Sequence, residues 1–125
     1  VVHRLNKAHP INRRAIIEAL NRAFIDAFKV PEDTHPIRLC EYDADAFLIP
    51  RQSSSAFTLI EATVYPGRTI ETKRQLYARI ISELGKTGIA AEDIRVVFYE
   101  VPRDNRGLKG GVPASEIDLG LEVEI

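Results

Sequence analysis

The sequence contains no methionine, no tryptophan and a single cysteine, and aromatic residues make up only 7% of its 125 positions. One cysteine, Cys40, excludes an internal disulfide framework and suits a reducing, cytoplasmic setting. It falls in an apolar-rich strand candidate, where a thiol packs as a small hydrophobe. No apolar run approaches the ~20 residues of a membrane-spanning helix. No signal-peptide pattern opens the sequence. A net charge of −1 removes the electrostatic case for nucleic acid or an anionic membrane as partner. The histidines His3, His9 and His35 are scattered and have no cysteine pairs beside them, so no metal site is expected. Neither a P-loop nor a serine nucleophile elbow occurs, and no cofactor is expected. The missing methionine leaves two readings: a chain processed to Val1, or a sequence that begins within a longer protein.

What is present is ordinary for a globular protein, with 45% apolar and 28% charged residues. This length supports one domain, residues 1–125, with a modest core. Charge is uneven. The first 22 residues hold Arg4, Lys7, Arg13, Arg14 and Arg22 against Glu18 alone. The last ten hold Glu116, Asp118, Glu122 and Glu124 without a base. Two solvated surfaces account for this; an acidic tail meeting a neighbour's basic surface would account for it too.

The order of elements is a repeat. Residues 1–6, "VVHRLN", are rich in β-branched side chains and read as a strand. Pro10 suits a helix's first turn. From Ile11 to Phe28 apolar residues recur at helical spacing, with Ile16, Leu20, Ala23, Phe24, Ala27 and Phe28 on one face. Pro31 stops that helix, and residues 37–42 form a second strand. Residues 56–65 begin the second round, followed by a Pro-Gly-Arg turn and a cap at Thr69. A helix is predicted from Ile70 to Leu84, with Leu76, Tyr77, Ile80, Ile81 and Leu84 on one face and Gly85 and Gly88 ending it. Residues 94–101 supply a fourth strand. An "ED" pair precedes an "IR"-led strand in both halves, at Glu32–Asp33 and Glu92–Asp93.

Two consecutive β-α-β units, about 1–49 and 56–101, predict an α/β protein with parallel pairing inside each half. Residues 49–55 read as the linker, and 102–125 as a C-terminal loop and tail. In that loop "GLKGG" (107–111) follows a strand without opening a helix and reads as flexible. The weak alternation of residues 117–125 suggests a strand that completes a neighbouring subunit's edge, hence an oligomer.

One stretch raises a chemical question. Arg68 stands at the mouth of the second helix, where the positive end of the helix dipole disfavours a cation. It is either a solvated turn residue or a group waiting for an anion.

The doubled unit, with "AFKVPED" (27–33) closing the first helix and "YPGRTIETKRQLYARI" (65–80) at the second strand-to-helix junction, resembles the tautomerase superfamily. The similarity is strongest to the branch of malonate semialdehyde decarboxylase. The resemblance implies a four-stranded sheet with two helices on one face, assembled as a homotrimer whose three sheets surround a central core. It also implies chemistry by an N-terminal proline acting on small oxo acids, with arginines binding the substrate carboxylate. This chain has Val1 in place of that proline. The family's aspartate, arginine and aromatic after the first helix fall at about Thr34, His35 and Pro36, with Asp33 one residue early. Of two junction arginines the second is Arg68, and the first becomes Pro66. A Trp-Ser-Phe-Gly-like loop becomes "RGLK" (106–109).

The resulting expectation is a tautomerase-superfamily protein with a degraded catalytic site, lacking efficient tautomerase or decarboxylase activity but keeping a cleft for a small carboxylate. Arg68, His35 and Arg106 are the expected binding residues. The alternative is an active keto-enol tautomerase or carbon-carbon lyase that uses the α-amine of Val1. His3, two residues along the strand from Val1, is expected on the same side, and Arg68 is the expected cation beside the amine.

Overall fold

The computed structural model describes residues 1–6, 12–32 and 35–120. Six elements build it: β1 (Val2–Leu5), α1 (Arg13–Phe28), β2 (Leu39–Tyr42), β3 (Thr58–Val64), α2 (Ile70–Lys86) and β4 (Ile94–Glu100). The sheet order is β2-β1-β3-β4. Each β-α-β half pairs in parallel, β1 with β2 and β3 with β4, as a crossover helix requires. The halves meet through an antiparallel contact in which Val2 opposes Ile60 and His3 opposes Leu59.

Alternation along the strands decides which face is covered. Val2, Ile60, Val64 and Ile94 point to one side and join a single core with Ile16, Leu20, Phe24 and Phe28 of α1 and Leu76, Ile80 and Leu84 of α2. The helices lie together on that face, tied by Arg22 to Glu83 at 3.1 Å. The opposite face carries His3, Glu61, Val97 and Tyr99, with Tyr99 51% exposed. On this face runs a transverse row of four polar groups, one from each strand. Tyr42 shares a 2.6 Å hydrogen bond with His3 Nδ1, His3 Nε2 lies 2.6 Å from Glu61 Oε1, and the Tyr99 hydroxyl donates to Glu61 Oε2 at 2.5 Å.

Element ends differ from the sequence reading for local reasons. Helix α1 begins at Arg13, because the Asn12 side chain accepts the Arg14 N–H and caps it. Of the expected start, Pro10 and Ile11 lie outside the described residues. The chain leaves α1 through Lys29 in the left-handed region, two residues before Pro31. Helix α2 is capped by Thr69 as expected, but it runs through Gly85 to Lys86. Burial of Leu84 and Ile89 around that last turn outweighs the ~1 kcal/mol that an interior glycine costs. Only Gly88, at φ +105°, ends the helix. The strands are shorter than their apolar runs: 2–5, 39–42, 58–64 and 94–100.

The linker is anchored. Asp93, 4% exposed, accepts hydrogen bonds from the Ser54 backbone N–H at 2.8 Å and its hydroxyl at 2.6 Å. The "GLKGG" segment is also more ordered than expected. Leu108 N–H donates to Val112 O and Gly111 N–H to Leu108 O, closing a turn. Residues 117–120 form no strand, and the remainder of the expected tail strand, 121–125, lies outside the described residues. Among the described residues no helix is long and apolar enough to cross a membrane.

Candidate functional site

The site arises from a mismatch in strand length. Val1 and Glu61 exchange both backbone hydrogen bonds, Val1 N donating to Glu61 O at 2.6 Å and Glu61 N–H to Val1 O at 2.8 Å. On the other flank Val2 N–H donates to Arg38 O at 2.7 Å. Strand β1 has its first residue there, whereas β3 runs on to Val64 and the segment before β2 continues on the other side. Between them lies a cavity of about 540 Å³. Phe24 and Phe28 of α1 line its helix side, and Ala62 to Val64 of β3, with Tyr65 just beyond the strand, its sheet side. Arg106, Leu108, Asp118 and Leu119 from the C-terminal loop close it.

Arg68 enters this cavity because of the turn before it. Gly67, at φ +125°, reverses the chain after β3, and Thr69 then caps α2. The side chain is only 7% exposed. Its guanidinium carbon sits 4.1 Å from the centroid of the Phe28 ring, a cation–π distance. Nη1 donates to Tyr65 O at 3.3 Å, and Nε has no hydrogen-bond partner among the described residues. Burial lowers its pKa, a shift that Glu100 partly opposes. Arg68 is therefore a buried residue of the helix mouth, not a solvated one.

The Val1 nitrogen lies in the same cavity with its pKa lowered from 8.0, first by burial and then by Arg38. Glu61 and Cys40 act in the opposite direction. The cation acting on the amine is thus Arg38, not the expected Arg68. His35 lines the cavity, its ring 6.0 Å from that of Phe24, and Pro36 lies beside it. Arg106 lines it too, with its guanidinium 5.1 Å from the Tyr65 ring centroid. All four expected residues, Val1, His35, Arg68 and Arg106, therefore meet in one cavity. His3 does not join them; its two ring nitrogens face Tyr42 and Glu61. Asp33 and Thr34 lie outside the described residues.

Sequence reasoning missed Arg38, Glu61 and Tyr65. For the first two a signal existed: in a parallel pair whose register sets Val2 against Leu39, the preceding residue falls opposite Arg38. Continuing the antiparallel register from Val2 and Ile60 by one step pairs Val1 with Glu61. No cluster of metal-ligating side chains occurs among the described residues.

Residues 35–108 match the family model described as tautomerase enzyme, more than half of the chain and most of the cavity's lining. The chain belongs to this tautomerase family. Solved structures share the fold. A malonate semialdehyde decarboxylase, studied for decarboxylase and hydratase activities, superposes with a TM-score of 0.81 at 18% identity, covering 92% of this chain and 94% of that one. A second malonate semialdehyde decarboxylase, inhibited by 3-bromopropiolate, gives 0.78 at 23% identity, with 86% of each chain covered. A fused 4-OT wild-type asymmetric trimer gives 0.77 at 27% identity, covering 92% of this chain and 94% of that one.

Proposed function

We propose that this tautomerase-family protein binds the carboxylate of a small oxo acid in its cavity, with Arg68 as the anchor. The observation that carries this reading is the burial of Arg68 with an unpartnered Nε inside a cavity. A desolvated guanidinium gains most from an anion that can accept its remaining N–H groups. Arg106 and His35 are the supporting binding residues. The site lacks the first junction arginine, where Pro66 stands, and the aromatic loop that the family resemblance attaches to efficient turnover. Binding without efficient tautomerase or decarboxylase activity is the reading these absences favour. Titration with acetate or sulfate should raise the melting temperature of the parent and leave Arg68→Ala unaffected. Equal protection of both proteins would remove Arg68 from the site.

A second reading is favoured by the Val1 nitrogen. The α-amine of a chain that begins at Val1, half-buried in the cavity and relieved of part of its proton affinity, can take a proton from the carbon beside a carbonyl and deliver it to the carbonyl oxygen of the resulting enolate. Assays with phenylenolpyruvate or 2-hydroxymuconate, and a decarboxylation assay, separate the two readings. Turnover that is lost when the amine is blocked establishes the second, and absence of turnover in the unblocked chain leaves the first.

For assembly, the reading is a homotrimer of single-domain subunits joined through the sheet face that the helices leave uncovered, where Val97 and Tyr99 are exposed. The fused 4-OT structures, themselves trimers, support it. Light scattering at micromolar concentration should report three chains, and a stable monomer would overturn this reading. A reducing cytoplasm suits the free Cys40.

A further inference from the structure

Arg68 and Arg106 lie 38 positions apart, yet both touch one residue, Tyr65. Arg68 Nη1 donates to the Tyr65 carbonyl, while the guanidinium of Arg106 sits over the Tyr65 ring. Tyr65 is itself held: it is 8% exposed and packs with Ala114, Leu108 and Leu119 of the C-terminal loop. That loop is closed on Arg106 by the Ala114 N–H donating to Arg106 O at 2.9 Å, and by the bridge between Gly107 and Pro113. The ring therefore fixes the loop on one side while its backbone fixes the buried arginine on the other.

We propose that Tyr65 is a positioning residue that couples Arg68 and Arg106 into one two-guanidinium clamp for the substrate carboxylate. The proposal rests on the reading of Arg68 as the anion anchor. It supplies from the C-terminal loop the second cation that Pro66 removes from the strand-to-helix junction. Two fork-shaped donors on one carboxylate fix its plane as well as its position. Arg103 also approaches the Tyr65 ring, at 5.9 Å, but does not line the cavity, and so serves as the internal control.

The test is acetate affinity in the full chain, compared across Tyr65→Leu, Tyr65→Phe, Arg106→Gln and Arg103→Gln. Arg106→Gln should weaken acetate binding about tenfold, the loss of one charge-assisted hydrogen bond. Tyr65→Leu should weaken it equally, and the double variant no further, because both remove the same contact. Tyr65→Phe keeps the ring and should restore parental affinity, and Arg103→Gln should leave it unchanged. Additive losses, or parental affinity in Tyr65→Leu, would overturn the proposal. Should Tyr65→Leu fail to fold, Arg106→Gln against Arg103→Gln decides: equal losses overturn the clamp, and loss in the former alone supports it. Amide exchange at Ala114, read without any anion, separates this idea from the anchor reading. Parent protein that binds no acetate refutes the anchor and the clamp together. Faster Ala114 exchange in Tyr65→Leu but not in Tyr65→Phe supports the positioning of Arg106 by the ring. Unchanged exchange in both overturns it.

Discussion

The guanidinium of Arg68 lies 4.1 Å from the centre of the Phe28 ring, so the second half of the chain places its buried cation on the last residue of the first helix. A planar, weakly hydrated guanidinium can stack there and still present an edge to a ligand, whereas a lysine ammonium cannot. Arg68→Lys should therefore keep the fold but lose most of the anion protection, nearly matching Arg68→Ala. Circular dichroism and thermal melting with and without acetate measure both. Full protection in Arg68→Lys would mean that charge alone, without the stacked geometry, makes the site.

Removing the Asp93 carboxylate should destabilise the protein by about 2 kcal/mol, the range for buried hydrogen bonds to a charged group. Two donors, the Ser54 N–H and hydroxyl, would be left without their acceptor. Asp93→Ala should lower the denaturant midpoint by the corresponding amount. Ser54→Ala, which removes only the hydroxyl, should cost less. No change in Asp93→Ala would show that water replaces the carboxylate there.

The fold was legible because local signals agreed with it. Two amphipathic helices with apolar faces at Ile16 to Phe28 and Leu76 to Leu84, each set between β-branched runs, leave few arrangements other than paired crossovers. Element ends were less legible. The capping of α1 by Asn12 competes with a proline signal two residues earlier, and Gly85 is overridden by tertiary packing. At the site, Arg68 stood out because a cation at a helix mouth contradicts the dipole. Arg38 and Glu61 carried no such contradiction; their importance comes from strand register, which pairs residues far apart in sequence. Tyr65 was hidden for a similar reason, since its partners Leu108, Ala114 and Leu119 come from a loop with no periodicity to read.

Glu61 should contribute to stability against acid. Tyr99 and His3 hydrogen-bond its carboxylate and hold its pKa below the usual 4.5, against a smaller opposing effect of burial. A carboxylate with a depressed folded-state pKa contributes stability that is present above its unfolded value and lost as pH falls through the folded one. The loss should therefore appear below about pH 4.5. Glu61→Gln should flatten the acid limb of the stability profile, and Tyr99→Phe should shift the same limb toward higher pH. An acid limb identical in all three proteins would show that the row across the sheet is not coupled to folding.

The amine of a chain beginning at Val1 should titrate below 8.0, because burial and Arg38 both disfavour its charged form. The sign for stability is fixed by that direction. The folded state binds fewer protons than the unfolded state between the depressed value and 8.0, so stability rises with pH across that window and is lost as pH falls through the folded value. Reaction of the amine with an acylating reagent, followed by mass spectrometry of the N-terminal peptide, reads the titration directly. The two flanks of Val1 should then act in opposite senses. Arg38→Gln removes the neighbouring cation and should raise the midpoint, while Glu61→Gln removes the carboxylate and should lower it further. A general loosening of the fold would expose the amine in both variants and move both midpoints up together. Opposite movement would identify the amine as electrostatically poised between Arg38, just before β2, and Glu61 of β3, and parallel movement would leave its lowered proton affinity to burial alone.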